Sequence, residues 1–292
     1  MMRRKEGRAG FLFALPWLFG LLAFMFYPLL MSLYYSFCDY SALRSPVWIG
    51  TDNYTELFHD EVFWICVKNT LLFACFSLPL SMVVAIALAM LLNTNVKGMT
   101  VYRTIFFIPS LVPMVSLAML WLWILNGDYG VLNTALATIG IKGPNWLTDV
   151  AWTKPALVLM SVWGVGNAML IYLASLQDVP TSLLEASELD GASAWQKTRN
   201  VTLPMISPVI QFNMVMGIIG SLQVFAIPFV MFPAGIPARS TYFYAMYLYD
   251  NAFVYSRMGY ASAMGWILFV VILLLTLIAL KLSNKHVHYG GV

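Results

Sequence analysis

The residues best placed for specific polar contacts lie at 182–204, inside a chain of 292 residues that is otherwise strongly apolar. Ser182 and Glu185 have the spacing of a capping box, in which each side chain satisfies a free amide of the first helical turn. The spacing predicts a helix that begins at Leu183. Gly191 then falls where a helix can end on a left-handed residue.

The residues after this glycine predict a second short helix. Ser193 can cap its start, and Lys197 and Arg199 fall in its last turn, where cations are favourable. Pro204 and Pro208 mark the return to an apolar segment. The predicted product is a compact hairpin of helix, glycine corner and helix. An ordinary interfacial loop is the alternative interpretation.

Several kinds of chemistry have no support in the sequence. No glycine is followed by Lys and then Ser or Thr, so the phosphate-binding loop of a nucleotide hydrolase is absent. Away from the ends of the apolar segments only Lys68 is ionisable, which disfavours a proton relay. Cys38, Cys66 and Cys75 lack the spacing of metal ligands. We therefore predict no catalytic residue and no metal site, and expect energy to enter from another subunit.

The elements that must position the hairpin are membrane helices. The chain is 61% hydrophobic and 10% charged, with a mean hydropathy of +0.78. A hydrocarbon core of about 30 Å needs about 20 apolar residues to cross it, and such segments are helical because lipid offers the backbone no partners. We predict an all-α polytopic membrane fold with six spans. These spans are 11–37, 64–92, 104–126, 155–176, 206–232 and 260–282.

Lysine and arginine set the predicted orientation. They are concentrated in 1–10, 93–103 and 177–205 and occur as Lys281 and Lys285 at the tail, whereas the loop at 38–63 is acidic. The positive-inside rule places both termini and the hairpin in the cytoplasm. The rule also accounts for the net charge of +3, and no nucleic-acid partner is predicted. We divide the chain into a cytoplasmic segment at 1–10, a transmembrane domain at 11–282 with its loop at 180–204, and a cytoplasmic tail at 283–292.

The hairpin resembles the EAA signature of permease subunits of bacterial ABC importers. Glu185, Ala186, Gly191 and VTLP at 201–204 follow its pattern, with two mild departures: Ser187 replaces its last alanine and Val201 replaces its isoleucine. Three further stretches are similar to the carbohydrate-uptake, maltose-type branch of that family. They lie at 50–60, 103–133 and 171–192.

The resemblance implies a non-catalytic subunit in the bacterial inner membrane, surrounded by lipid. It implies a dimer of ABC ATPases as partner, with ATP and magnesium on those subunits and no cofactor on this chain. It also implies a second permease, expected as a heterodimer, and an extracytoplasmic solute-binding protein. The residues implied to couple to the ATPase are Glu185, Ala186, Ser187, Asp190, Gly191 and Ala192.

Small and polar residues at helical spacing are candidates for the pathway of the cargo. Close helix packing is the alternative interpretation of the glycines. On the fourth segment the candidates share one face, and on the fifth they follow i, i+4, i+7 and i+11 with two flanking residues. They are Trp163, Gly164 and Asn167, then Asn213, Gly217, Gly220, Ser221, Gln223 and Val224. Pro79, Pro109, Pro113 and Pro228 are predicted to kink their helices.

A saccharide is the expected cargo, because the predicted spans supply no buried cation for a phosphate. The same architecture importing glycerol phosphate, a polyol or an amino acid is the first alternative. A stand-alone secondary carrier is the second and gives the hairpin no role. A membrane enzyme is the third and lacks a reactive cluster of side chains.

Overall fold

The computed structural model describes residues 2–94 and 96–283, and these residues are mainly helical, which confirms the predicted all-α membrane fold. The predicted tail lies outside the described residues except for Ser283. Two short antiparallel strands are β1 (Cys38–Asp39) and β2 (Val47–Trp48). The helices are α1 (Met2–Leu21), α2 (Tyr27–Ser36), α3 (Asp52–His59), α4 (Glu61–Leu92), α5 (Met99–Phe107), α6 (Met114–Ile124), α7 (Val131–Thr138), α8 (Val150–Trp163), α9 (Gly166–Gln177), α10 (Thr181–Leu189), α11 (Ala194–Lys197), α12 (Leu203–Met205), α13 (Ser207–Leu222), α14 (Ala226–Met231), α15 (Tyr244–Tyr249) and α16 (Met258–Ser283).

Within the described residues, four helical stretches are long and apolar enough to cross a membrane, and two bent pairs of helices bring the total to six. The four are Phe13–Ser36, Glu61–Leu92, Ser207–Met231 and Met258–Ser283. The pairs are Met99–Leu111 with Met114–Ile124, bent by 100°, and Val150–Trp163 with Gly166–Gln177, bent by 43°.

Prolines account for the first bend, and a glycine permits close packing directly after the second. Pro113 stands before α6 with an extended ψ of 139°, and with Pro109 it confirms the predicted kink of the third span. The second bend lies before Gly166, where a Cβ would stand 2.9 Å from the carbonyl oxygen of Phe106. Glycine therefore allows the start of α9 to approach this backbone closely. By contrast, α4 continues through Pro79 without a break.

The fourth span begins earlier than the sequence predicts. The prediction starts it at 155, whereas α8 begins at Val150. The physical reason is a helix cap, since the Asp149 carboxylate accepts a hydrogen bond of 2.9 Å from the amide of Ala151. This correction places Lys154 inside a membrane helix.

The described residues form two compact units. Trp64–Met246, with the residues from Val271 onward, makes up the larger one. Its core is formed where the end of α4 packs against α9. Ala85 and Ala89 are fully buried there, as are Met169 and Tyr172. The small alanine side chains let the two helices approach each other closely.

The other unit contains the residues up to Phe63 and the segment Tyr247–Val270, and its main polar contact is made by Asp60. The carboxylate accepts hydrogen bonds from the hydroxyls of Tyr247 and Tyr260, the second at 2.7 Å, and from the amide of Val62 at 2.8 Å. Burial by itself would raise the pKa of Asp60, but these hydrogen bonds outweigh it and the pKa is lowered.

Replacing Asp60 by alanine is expected to destabilise the protein by about 1–3 kcal/mol, because two tyrosine hydroxyls of low exposure lose their acceptor. The measurement is reversible unfolding in mild detergent. Asp128→Ala serves as control, since the Asp128 side chain is exposed.

The same variant gives a pH test. Because the pKa of Asp60 lies below its ordinary value of 3.8, its contribution is present above that pH and is lost as pH falls through the folded-state pKa. The stability difference between wild type and Asp60→Ala should thus stay constant between about pH 5 and pH 8. A difference that vanishes within this interval would contradict the assigned ionisation state.

Candidate functional site

The hairpin at 180–204 has the predicted glycine corner. Helix α10 ends with Gly191 in the left-handed region at a φ of +75°. The amide of Gly191 donates to the carbonyl of Glu188, and the amide of Ala192 donates to the carbonyl of Ser187, each at 3.0 Å. These two bonds form a Schellman motif, which satisfies carbonyls that the end of a helix leaves free. The turn is therefore closed by its own backbone.

The capping box lies on the second helix. The Ser193 hydroxyl accepts from the amide of Gln196 at 3.4 Å, and the Gln196 side chain accepts from the amide of Ser193 at 2.8 Å. The predicted cap at Ser193 is confirmed. The predicted box of Ser182 and Glu185 is wrong, because α10 begins at Thr181 after Pro180 and has no side-chain cap.

Contacts at both ends hold the hairpin in shape. Lys197 forms an ion pair with Glu188 and joins the two helices. At its base, Leu184 packs against the core of the larger unit. The tip, in contrast, exposes large apolar side chains, since Leu189 is 90% exposed and Trp195 is 68% exposed. The hairpin is braced internally and presents an apolar tip.

The residues predicted to couple to an ATPase lie together on this hairpin. Four are exposed, and they are Glu185, Ala186, Asp190 and Gly191. Two are half-buried, and they are Ser187 and Ala192. The Ser187 hydroxyl is engaged locally, since it donates to the carbonyl of Leu184 at 2.7 Å.

A cavity of about 480 Å³ lies between α4, α9 and α13 in the larger unit. It brings together four of the predicted pathway residues, which are Gly164, Asn167, Asn213 and Gly217. A Cβ on Gly217 would stand 2.2 Å from the Leu78 side chain, so this glycine also serves close packing. We call this space the central cavity.

Sequence reasoning missed three polar residues of the central cavity. The hydroxyls of Ser81 and Ser161 lie 3.3 Å apart and join α4 to α8. The hydroxyl of Tyr172 is buried and has no hydrogen-bond partner within the described residues. Each of the three is a polar residue within a predicted span, but nothing in the sequence indicates that they meet.

The other predicted pathway residues lie elsewhere. Trp163 lines a separate cavity with Trp121, their rings edge to face with centroids 5.8 Å apart. Ser221 lines a third cavity beside α16. A Cβ on Gly220 would meet nothing within 4 Å. None of the three lines the central cavity.

The predicted face of the fifth span is wrong at its end. Helix α13 stops at Leu222, so Gln223 and Val224 are not helical. The reason is Pro228, which would clash with the carbonyl of Val224 in a continuous helix. The chain breaks before α14, and Pro228 then falls in the first turn of the new helix, where its missing amide costs nothing.

The fold, the braced hairpin and the central cavity with its few hydroxyl and amide groups are those of a polytopic membrane transport protein. Residues 77–289 match the model of the family described as "Binding-protein-dependent transport system inner membrane component". The chain belongs to this family, and its localisation is the inner membrane.

Relatives with known names support this assignment. The probable ABC transporter permease protein YesP of Bacillus subtilis (strain 168) is 40% identical over 293 residues, covering 98% of this chain and 94% of the relative. The lactose transport system permease protein LacF of Rhizobium radiobacter is 32% identical over 273 residues, covering 91% of each.

A solved structure has the same fold. It is the bacterial alginate ABC transporter in complex with an alginate pentasaccharide-bound periplasmic protein. One of its chains matches with a TM-score of 0.85 and 27% identity, covering 96% of both chains.

Tyr172→Phe is expected to leave stability unchanged or to increase it, because the lost hydroxyl is buried without a partner. Tyr247→Phe is the matched comparison and should lower stability, because that hydroxyl donates to Asp60. Thermal unfolding of both variants in detergent measures the contrast. A marked loss in Tyr172→Phe would show that the hydroxyl has a partner in the folded protein.

Proposed function

We propose that this chain is the transmembrane subunit of an ATP-driven importer and forms half of a translocation pathway for saccharides. The observation that carries the proposal is the central cavity, which is lined by hydroxyl and amide groups from Ser81, Ser161, Asn167 and Asn213. Such groups can exchange hydrogen bonds with sugar hydroxyls, and the aliphatic surface around them suits the faces of sugar rings.

The relatives support a saccharide as cargo. One of them, LacF, is named as a lactose transport permease, and the matched structure is that of an alginate transporter. Glycerol phosphate, a polyol or an amino acid is the alternative cargo. A stand-alone carrier is less well supported, because the described residues that line the central cavity include no carboxylate, lysine, arginine or histidine that could couple an ion.

The partners follow from the same proposal. An extracytoplasmic binding protein delivers the cargo, by analogy with the periplasmic protein that is bound to the alginate transporter in the matched structure. A second permease supplies the other half of the pathway. ATP and magnesium bind to a separate pair of ATPase subunits, and this chain has no catalytic role. Both termini and the hairpin face the cytoplasm.

In this proposal the hairpin is the contact with the ATPase. Its exposed Leu189 and Trp195 supply an apolar tip of the kind that fills a pocket in a partner. The Lys197–Glu188 ion pair and the Schellman turn keep the tip rigid. A rigid element transmits a rigid-body movement of the ATPase, whereas a flexible loop would absorb it.

Gly191→Asp is expected to reduce ATP-driven uptake strongly, and Gly191→Asn is its matched control. Both side chains tolerate the left-handed conformation better than other residues, and they differ mainly in charge. No atom stands within 4 Å of a Cβ at this position, so neither substitution creates a clash inside the chain. Uptake and recovery of the ATPase with the tagged permease from mild detergent are measured together.

The two Gly191 variants distinguish a coupling role of the hairpin from its absence. Loss of uptake or of the ATPase in Gly191→Asp, with near-normal behaviour of Gly191→Asn, indicates a docking surface that excludes an added charge. Normal uptake and normal complex yield in both variants would contradict the coupling role of the hairpin. A wild-type chain that purifies without any ATPase in several mild detergents would do so as well.

Asn167→Leu and Asn213→Leu are each expected to lower saccharide uptake about tenfold, because a buried ligand hydroxyl loses a hydrogen-bond partner. Ser221→Ala is the control, since Ser221 lies outside the central cavity. Uptake is measured with labelled lactose, malto-oligosaccharides and alginate oligosaccharides. Transport of glycerol phosphate or an amino acid, with none of these saccharides transported, would decide for the alternative cargo.

A further inference from the structure

Another cavity, of about 570 Å³, lies between α4 and α8 and is mainly apolar. Helix α4 contributes one stripe of side chains, and α8 contributes the facing stripe. On α4 these residues are Leu72, Phe73, Phe76 and Leu80. On α8 they are Val150, Ala151, Lys154, Pro155, Val158, Leu159 and Val162. We call this space the lateral groove.

Two lysines lie at one end of the lateral groove. Lys154 is part of its lining, and Lys68 lies one helical turn before Leu72 on α4. Because Lys68 precedes Leu72 by four residues, it shares the face of α4 that lines the groove opposite Lys154. Two cations that share the end of an apolar groove form a site for an anion with an apolar body.

Neither lysine has an acidic partner within the described parts of the chain. The ion pairs found there involve Lys197 and Arg257 instead. Asp149, close to Lys154 in sequence, directs a carboxylate oxygen to the amide of Ala151 as a helix cap. The positive charge at this end of the groove is therefore available to a ligand.

The groove beyond the lysines is nearly as long as one leaflet of a bilayer. From Lys154 to Val162, α8 rises about 12 Å at 1.5 Å per residue, and α4 rises by the same amount from Leu72 to Leu80. Half of a hydrocarbon core of about 30 Å is about 15 Å. An acyl chain that lies along the groove would place its headgroup beside the lysines, whose long side chains can reach toward the interface.

We propose that the lateral groove is a binding site for an anionic phospholipid. One acyl chain packs between the apolar stripes of α4 and α8, and the phosphate contacts the ammonium groups of Lys68 and Lys154. Basic pockets between membrane helices bind anionic headgroups by the same physics. The site is separate from the central cavity, and the proposal does not depend on the identity of the cargo.

The test uses the full-length permease, purified with the subunits that accompany it and stripped of lipid. Dioleoyl phosphatidylglycerol and dioleoyl phosphatidylcholine are returned separately, and bound lipid is counted by native mass spectrometry. Phosphatidylglycerol should bind more tightly. Each lysine should contribute about fivefold to this preference, so Lys68→Gln/Lys154→Gln should lose about 25-fold in affinity for it.

Two control variants separate the charge from the groove. Lys142→Gln removes an exposed lysine outside the groove and should bind phosphatidylglycerol like the wild type. Val158→Trp fills the groove without a change of charge and should reduce binding of the lipid. Thermal unfolding of each variant checks that it is folded.

Several outcomes would overturn the proposal. Equal binding of the two lipids, or unchanged phosphatidylglycerol binding in the double lysine variant, would exclude the charged site. If inorganic phosphate raised the thermal stability of the permease as much as phosphatidylglycerol does, the lysines would be assigned to a free anion. Loss of a second permease from the purified complex in Val158→Trp, with lipid binding unchanged, would show that a protein helix covers the groove.

Discussion

The packing of α4 against α9 fixes the position of both functional elements of the larger unit. Ala85 and Ala89 on α4 have no side chain beyond Cβ, so Met169 and Tyr172 on α9 can pack closely against this helix. The hairpin is fastened to the same core through Leu184. Larger side chains at the two alanines would separate the helices and displace the hairpin with them.

Tyr172 belongs to this core and also to the lining of the central cavity. Helix α9 runs without a break from the first residue after the bend to Gln177, and α10 begins at Thr181. One short helix and one tightly packed contact therefore lie between the hairpin and the cavity. In the proposed transport cycle, this path connects the ATPase to the cargo.

The sequence predicts well those features that depend on neighbouring residues. The left-handed turn at Gly191 and the cap at Ser193 follow from local backbone chemistry, and the six apolar segments follow from the requirements of the bilayer. The predicted cap at Ser182 is wrong because Pro180 starts the helix earlier, a competition between two local signals.

Features that depend on contacts between distant segments are less accessible to the sequence. Ser81, Ser161 and Tyr172 meet only because α4, α8 and α9 converge, and no spacing along one helix indicates this.

Two other wrong predictions have a local cause. Gln223 and Val224 are not helical, because Pro228 would clash with the carbonyl four residues before it. The predicted start of the fourth span leaves Lys154 outside, because the cap that extends α8 toward the amino terminus is a single side-chain contact.

The bend between α8 and α9 has a consequence for the insulation of the membrane. At Gly164 the helical hydrogen bonding is interrupted within an apolar span, and Gly164 lines the central cavity. Backbone that is not helical within an apolar span needs polar partners, and water that enters the central cavity can supply them. Such water shortens the dry path that blocks ions. A permease with this break must therefore keep a sealed layer on at least one side of the cavity at every moment, or it would leak ions across the membrane.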